Sequence, residues 1–80
     1  MYETPEEKAS AILESILINH PFVDGNKRTG YTLFRLMLLS ANIDIDATEN
    51  EKYDMVISVA EGKTDYAQIL DWTRKRMRPL

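Results

Sequence analysis

Residues 31 to 39 read Tyr-Thr-Leu-Phe-Arg-Leu-Met-Leu-Leu, and this run constrains the fold more than any other segment. Wound as a helix, Tyr31, Leu33, Phe34, Leu36, Met37, Leu38 and Leu39 cover nearly the whole circumference, with Arg35 the only charge after Arg28. A helix that is apolar all round must be covered on all sides, so the sequence predicts a central helix from about Gly25-Asn26 to Ser40 or Ala41. The cover available is limited. With 80 residues, 44% of them hydrophobic and seven of them aromatic, the chain can build one core and no second domain. There is no cysteine, so neither a disulfide framework nor a thiolate metal site can hold so small a fold, and a reducing compartment is expected. The longest unbroken apolar stretch, Leu36 to Leu39, is far short of the roughly 18 residues of a membrane span. The acidic start (Glu3, Glu6, Glu7) is the wrong flank for a signal peptide, and a cytoplasmic protein without membrane contact is expected. A net charge of −3 argues against nucleic acid as a partner, because non-specific binding needs an excess of Lys and Arg.

Three further helices are expected around the central one. Thr4-Pro5-Glu6-Glu7 combines an N-cap, a proline at the first helical position and a glutamate three residues after the cap. Ala9, Ile12, Leu13, Ile16 and Leu17 then form one apolar stripe, with Glu6, Lys8 and Glu14 toward water, up to about Asn19. His20-Pro21 must leave the helical path. Ile43 and Ile45 alternate with Asp44 and Asp46, but the segment is short and isolated and reads as a connection. Thr48 to Glu51 repeats the capping pattern ahead of a stripe of Tyr53, Val56, Ile57 and Ala60, closed by Gly62. Thr64 is the expected cap of a last helix with Tyr66, Ile69, Leu70, Thr73 and Met77 as its inner face. The basic residues from Arg74 to Arg78 suit the negative end of that helix dipole, and Trp72 reads as a packing residue. The expected fold is all-α: a small bundle of about four helices around the central hydrophobic helix, as one domain over residues 1–80.

One stretch departs from packing logic: His20-Pro21-Phe22-Val23-Asp24-Gly25-Asn26-Lys27-Arg28. A glycine leading into a helix presents unpaired N–H groups at the positive end of the dipole, an anion site to which Lys27 and Arg28 add charge. Arg28 can grip a phosphate through a fork of two hydrogen bonds. Asp24 stands just before that turn, and a single carboxylate beside phosphates suits Mg²⁺, which keeps waters and takes one or two protein ligands. His20 has the side chain whose ordinary pKa, near 6.5, suits removal of a proton from a hydroxyl. Base, metal ligand and phosphate cradle together fit transfer of a phosphorus-containing group onto a hydroxyl. Taken singly, His20 more often caps carbonyls, Asp24 is a common N-cap and Asn26 a common turn residue. A positive pair in a first helical turn, however, opposes the dipole unless an anion is bound. Phe22 reads as an anchor packing the loop onto the core, and Gly30 as a point of close helix approach. Arg35, on the Arg28 face of the helix, either reaches the site or snorkels outward, the latter being preferred.

The stretch resembles the signature of Fic/Doc proteins, H-x-F-x-[DE]-[GA]-N-[GK]-R, at every specified position. The resemblance implies His20 as general base, Asp24 as Mg²⁺ ligand, and Gly25, Asn26 and Lys27 as the anion-holding turn. It implies Arg28 as the arginine on the nucleotide phosphates and Phe22 as the core anchor. The adenylylating members usually carry Gly where this chain has Lys27, and a second Arg where it has Tyr31. Lys27-Arg28-Thr29 is instead similar to Doc, the death-on-curing toxins, which implies an ATP-dependent transfer of the terminal phosphate to a protein hydroxyl, restrained by an antitoxin. AMP transfer, and a non-catalytic remnant that binds nucleotide or partner, are the alternatives. Family members carry further N-terminal helices and a β-hairpin flap ahead of the motif helix, which the chain is expected to lack. Its fully apolar helix is therefore expected to be covered by another copy, an antitoxin helix or such N-terminal helices.

Overall fold

The structure, a computed structural model, describes residues 3–19 and 26–80. In chain order the elements are α1 (Pro5–Asn19), α2 (Asn26–Ser40), β1 (Ile43–Ile45), α3 (Glu49–Ala60), α4 (Tyr66–Arg74) and β2 (Met77–Pro79). The four expected helices are present, and the fold is a small, mostly α-helical bundle.

The helices begin where their caps dictate. Glu7 N–H donates to Thr4 Oγ1 at 3.2 Å, and Glu7 Oε1 accepts from Thr4 N at 3.1 Å. Thr48 and Glu51 repeat the reciprocal box on α3. On α4 the cap is Asp65, not Thr64: Gln68 N–H donates to Asp65 Oδ1 and Gln68 Oε1 accepts from Asp65 N, both at 2.9 Å. Thr64 instead closes the end of α3, its N–H reaching Ser58 O at 3.3 Å. Gly62 terminates α3 with φ of 78°, and Asn42 terminates α2 with φ of 63°, the left-handed conformation that glycine and asparagine adopt most readily.

A further expectation needs correction. Residues 43–45 are a strand and not only a connection: Ile43, Asp44 and Ile45 pair antiparallel with Pro79, Arg78 and Met77. Met77 therefore leaves the α4 stripe and continues as sheet. The bundle covers α2 only in part, as expected of a helix apolar all round with three short neighbours. Gly30, Phe34 and Leu38 of α2 are buried, but Leu33 is 40% and Leu36 54% exposed, so α2 carries apolar residues on a face the bundle leaves open. The helix in contact with all three others is α1, whose Ala9, Leu13 and Leu17 are fully covered. They join Phe34, Leu38, Val59 and Ile69 in the core, with Ile45, Met55 and Val56 at its edge and Trp72 packed against it.

Gly30 marks the close approach of α1 and α2. A Cβ there would lie 3.4 Å from both Ile16 Cγ2 and Leu13 Cδ1, at the limit of ordinary contact. Gly30→Ala should therefore be neutral to stabilising, since alanine gains about 0.5–1 kcal/mol over glycine in a helix interior. Gly30→Leu should cost about 1–3 kcal/mol by overpacking. Urea midpoints of the two variants, moving in opposite senses or with only leucine destabilising, check this.

The C-terminal cations are fasteners. Arg74 reaches Glu6 on α1 at 3.4 Å, Arg76 reaches Glu51 on α3 at 3.3 Å, and Arg78 lies 3.7 Å from Asp44 on β1. Arg76 also stacks over Trp72, 4.5 Å from the ring centroid. Glu14, expected to face water, accepts the Tyr66 N–H at 2.6 Å and so caps α4 from α1.

Three carboxyls are held below their usual range. The Thr4 hydroxyl bonds Glu7, the Ile45 N–H bonds Asp44 with Arg35 and Arg78 assisting, and the Thr48 N–H bonds Glu51 with Arg76 assisting. Because their folded pKa values are depressed, the stability they contribute is present above the ordinary carboxylate pKa of about 4 and is lost as pH falls through and below it. The melting temperature should fall as pH drops below about 4.5, and Glu51→Gln should make that fall shallower.

Candidate functional site

His20, Phe22, Asp24 and Gly25 lie outside the described residues, so the site is described from its helical side. Asn26 is the first residue of α2, and Lys27 and Arg28 follow in its first turn, both exposed. Sequence dictates this location: Gly25 is a poor helix former, while the residues from Asn26 on carry the inner face through Gly30, Phe34 and Leu38.

The electrostatics of this turn are those expected of an anion site. The first turn of α2 contains no acidic residue, unlike those of α1 and α3, which carry Glu6 and Glu7, and Glu49 and Glu51. Among the described residues neither Lys27 nor Arg28 has an ion-pair partner, whereas Arg35, Arg74, Arg76 and Arg78 each have one. Two cations thus stand at the end of a helix where the dipole is already positive. Such a pair is unfavourable without an anion and favourable with one.

Arg35 does not extend the cradle. It pairs with Asp44 on β1, Nη2 to Oδ1 at 3.6 Å, which settles its two sequence readings in favour of an outward course. Tyr31, at the position where adenylylating relatives are expected to carry a second arginine, is half-buried; its ring lies 5.5 Å from that of Phe34. Burial pushes its hydroxyl up to about 12, so it stays neutral and adds no charge near Arg28. Among the described residues no group of three or more His, Cys, Asp or Glu side chains could hold a metal, and Asp24 lies outside them. No helix among them is long and apolar enough to cross a membrane.

Comparison with known proteins falls on the same half of the chain. Residues 1–38 match the model of the Fic/DOC family. The chain is also 40% identical, over 50 residues, to a protein named Toxin Doc from Mycolicibacterium smegmatis. That alignment covers 55% of this chain and 38% of the relative, so the chain spans well under half of the relative's length. The complete motif from His20 to Arg28 lies inside the matched segment, so this part of the chain is similar to the Fic/Doc family in both its overall match and its signature.

Proposed function

We propose that the chain is the catalytic centre of a Doc-like toxin that transfers the terminal phosphate of ATP to a hydroxyl of a target protein. The observation that carries the reading is the first turn of α2, which holds no acidic residue and where exposed Lys27 and Arg28, without an ion-pair partner among the described residues, follow the motif's Asp24-Gly25-Asn26. In this role Gly25, Asn26 and Lys27 hold phosphate oxygens and Arg28 grips them bidentately. His20 accepts the proton of the acceptor hydroxyl as the new O–P bond forms, and ADP leaves with the electrons of the broken bond. Asp24 is the residue that would hold Mg²⁺, since one carboxylate suits an ion that completes its shell with water and phosphate oxygens and neutralises their charge. Lys27 in place of glycine, and neutral Tyr31 in place of a second arginine, favour the kinase reading over AMP transfer.

The partners follow from the same reading: a target protein bearing the acceptor hydroxyl, and an antitoxin, with cytoplasmic residence. The open face of α2 around Leu33 and Leu36 supports a covering partner, whether antitoxin, second copy or further helices of the family fold. The test is incubation of the purified chain with a bacterial lysate and γ-labelled ATP. Mg²⁺-dependent labelling of a protein is expected, whereas ATP binding without label transfer would favour a non-catalytic remnant.

A further inference from the structure

Starting one turn beyond Arg28, a cavity of about 270 Å³ lies between the outer face of α2 and the start of α3. Its wall is mixed: Arg35 and Lys52 are cationic, Glu49 is anionic and Thr32 polar, while Tyr31, Leu36 and Leu39 are mainly apolar. The Lys52 side chain is only 12% exposed, yet its one ion-pair partner among the described residues is Glu49, which is 92% exposed and 3.4 Å away. Arg35 meets Asp44 at 3.6 Å, and that carboxylate is shared with Arg78. Tight charge-assisted N–O bonds are about 2.7–2.9 Å long, so both cations keep donor capacity toward the cavity. Tyr31 meanwhile buries its hydroxyl without a hydrogen-bond partner.

We infer that this cavity binds a small organic carboxylate, its head between Arg35 and Lys52 and a short apolar body against Leu36, Leu39 and the Tyr31 ring. A guanidinium fork and a nearly buried ammonium match the two oxygens of a carboxylate. The apolar part of the wall selects against a bare inorganic oxyanion. A water occupies about 30 Å³, and an ion a few times larger would leave most of the cavity, including its apolar wall, unused. Drug-sized ligands fill about 300–1,000 Å³, so the fitting ligand is smaller, of the size of an aromatic or branched-chain acid. Nucleotide transfer is not needed for this binding.

The test is a titration of the isotopically labelled chain with phenylacetate, followed by the backbone amide NMR signals. Shifts are expected at Tyr31 to Leu39 and Glu49 to Lys52, with Lys27 and Arg28 unmoved. Phenylacetamide, which keeps the body but loses the charge, and inorganic phosphate should each bind about tenfold more weakly or worse. Lys52→Met should weaken phenylacetate by a similar factor and Lys52→Arg should restore it. Glu49→Gln, at an exposed position that does not threaten the fold, should tighten it by removing the competing carboxylate. Equal binding of the acid and the amide, phosphate binding as tightly as phenylacetate, shifts centred on Lys27 and Arg28, or no effect of Glu49→Gln would each overturn the inference.

Discussion

Replacing His20 by alanine is expected to lower phosphate transfer by about 10²–10⁴-fold, the range that a positioned general base contributes. A protein hydroxyl is a poor nucleophile while protonated, and His20 is the only histidine in the chain, hence the only side chain with an ordinary pKa near 6.5. In the proposed role the imidazole acts as base in its neutral form. Transfer by the wild type should therefore be lost as acid pH protonates it, and the residual rate of His20→Ala should lack that acid limb. ATP binding should survive, because in the proposed reading the phosphate contacts are assigned to Gly25, Asn26, Lys27 and Arg28. A variant that binds ATP as the wild type does, melts at the same temperature and transfers at the same rate would remove His20 from the chemistry.

The largest effect on stability is expected from Phe34→Ala. Phe34 is fully buried on the inner face of α2, stacked beside Tyr31 and part of the core that α1 completes with Leu13 and Leu17. Truncating a buried phenylalanine removes its burial free energy and leaves a cavity, together about 3–5 kcal/mol. A domain of this size has about 4–12 kcal/mol of total stability, at roughly 0.05–0.15 kcal/mol per residue. The variant should then show a urea midpoint lowered by a third or more, or no cooperative transition at all. Leu36→Ala, two residues away on the open face and 54% exposed, should shift the midpoint far less.

The contrast between those neighbours shows what the sequence could and could not convey. Helix starts were legible because their signals are local: Thr4 with Glu7 and Thr48 with Glu51 form the reciprocal boxes their spacing announces. Burial was less legible where a charged residue sits inward. The inner face of α3 is Lys52, Met55, Val56 and Val59, not the stripe beginning at Tyr53, which is 65% exposed. A lysine whose side chain is largely covered defeats a purely apolar reading of the pattern. The β1–β2 pairing was illegible for another reason. Two three-residue strands separated by two helices carry no turn signal linking them, and their register follows from where α4 ends. Glu14 likewise reads as a surface acid until tertiary packing brings the N-terminus of α4 to it. For the candidate site, the motif residues were identified from sequence by the chemistry of their types and by family resemblance. What the structure adds is that Lys27 and Arg28 are exposed in a first turn of α2 without acidic residues, and have no ion-pair partner among the described residues.

That turn also fixes what a nucleotide can do there. A polyphosphate held at the helix N-terminus can be attacked at its first or its last phosphorus depending on which end faces His20, and the motif is compatible with both. In the proposed reading, Lys27 and neutral Tyr31 are the positions that bias the orientation. Restoring the adenylylating pattern with Lys27→Gly together with Tyr31→Arg should therefore shift the product from phosphate toward AMP.

The most direct measurement follows ATP labelled distinguishably at its α and γ phosphates through incubation with the purified chain, Mg²⁺ and target lysate. Transfer of the γ label alone onto protein, released as phosphoserine or phosphothreonine on hydrolysis and absent with His20→Ala, is the result predicted here. Transfer of the α label, or γ labelling that persists undiminished without His20, would contradict it.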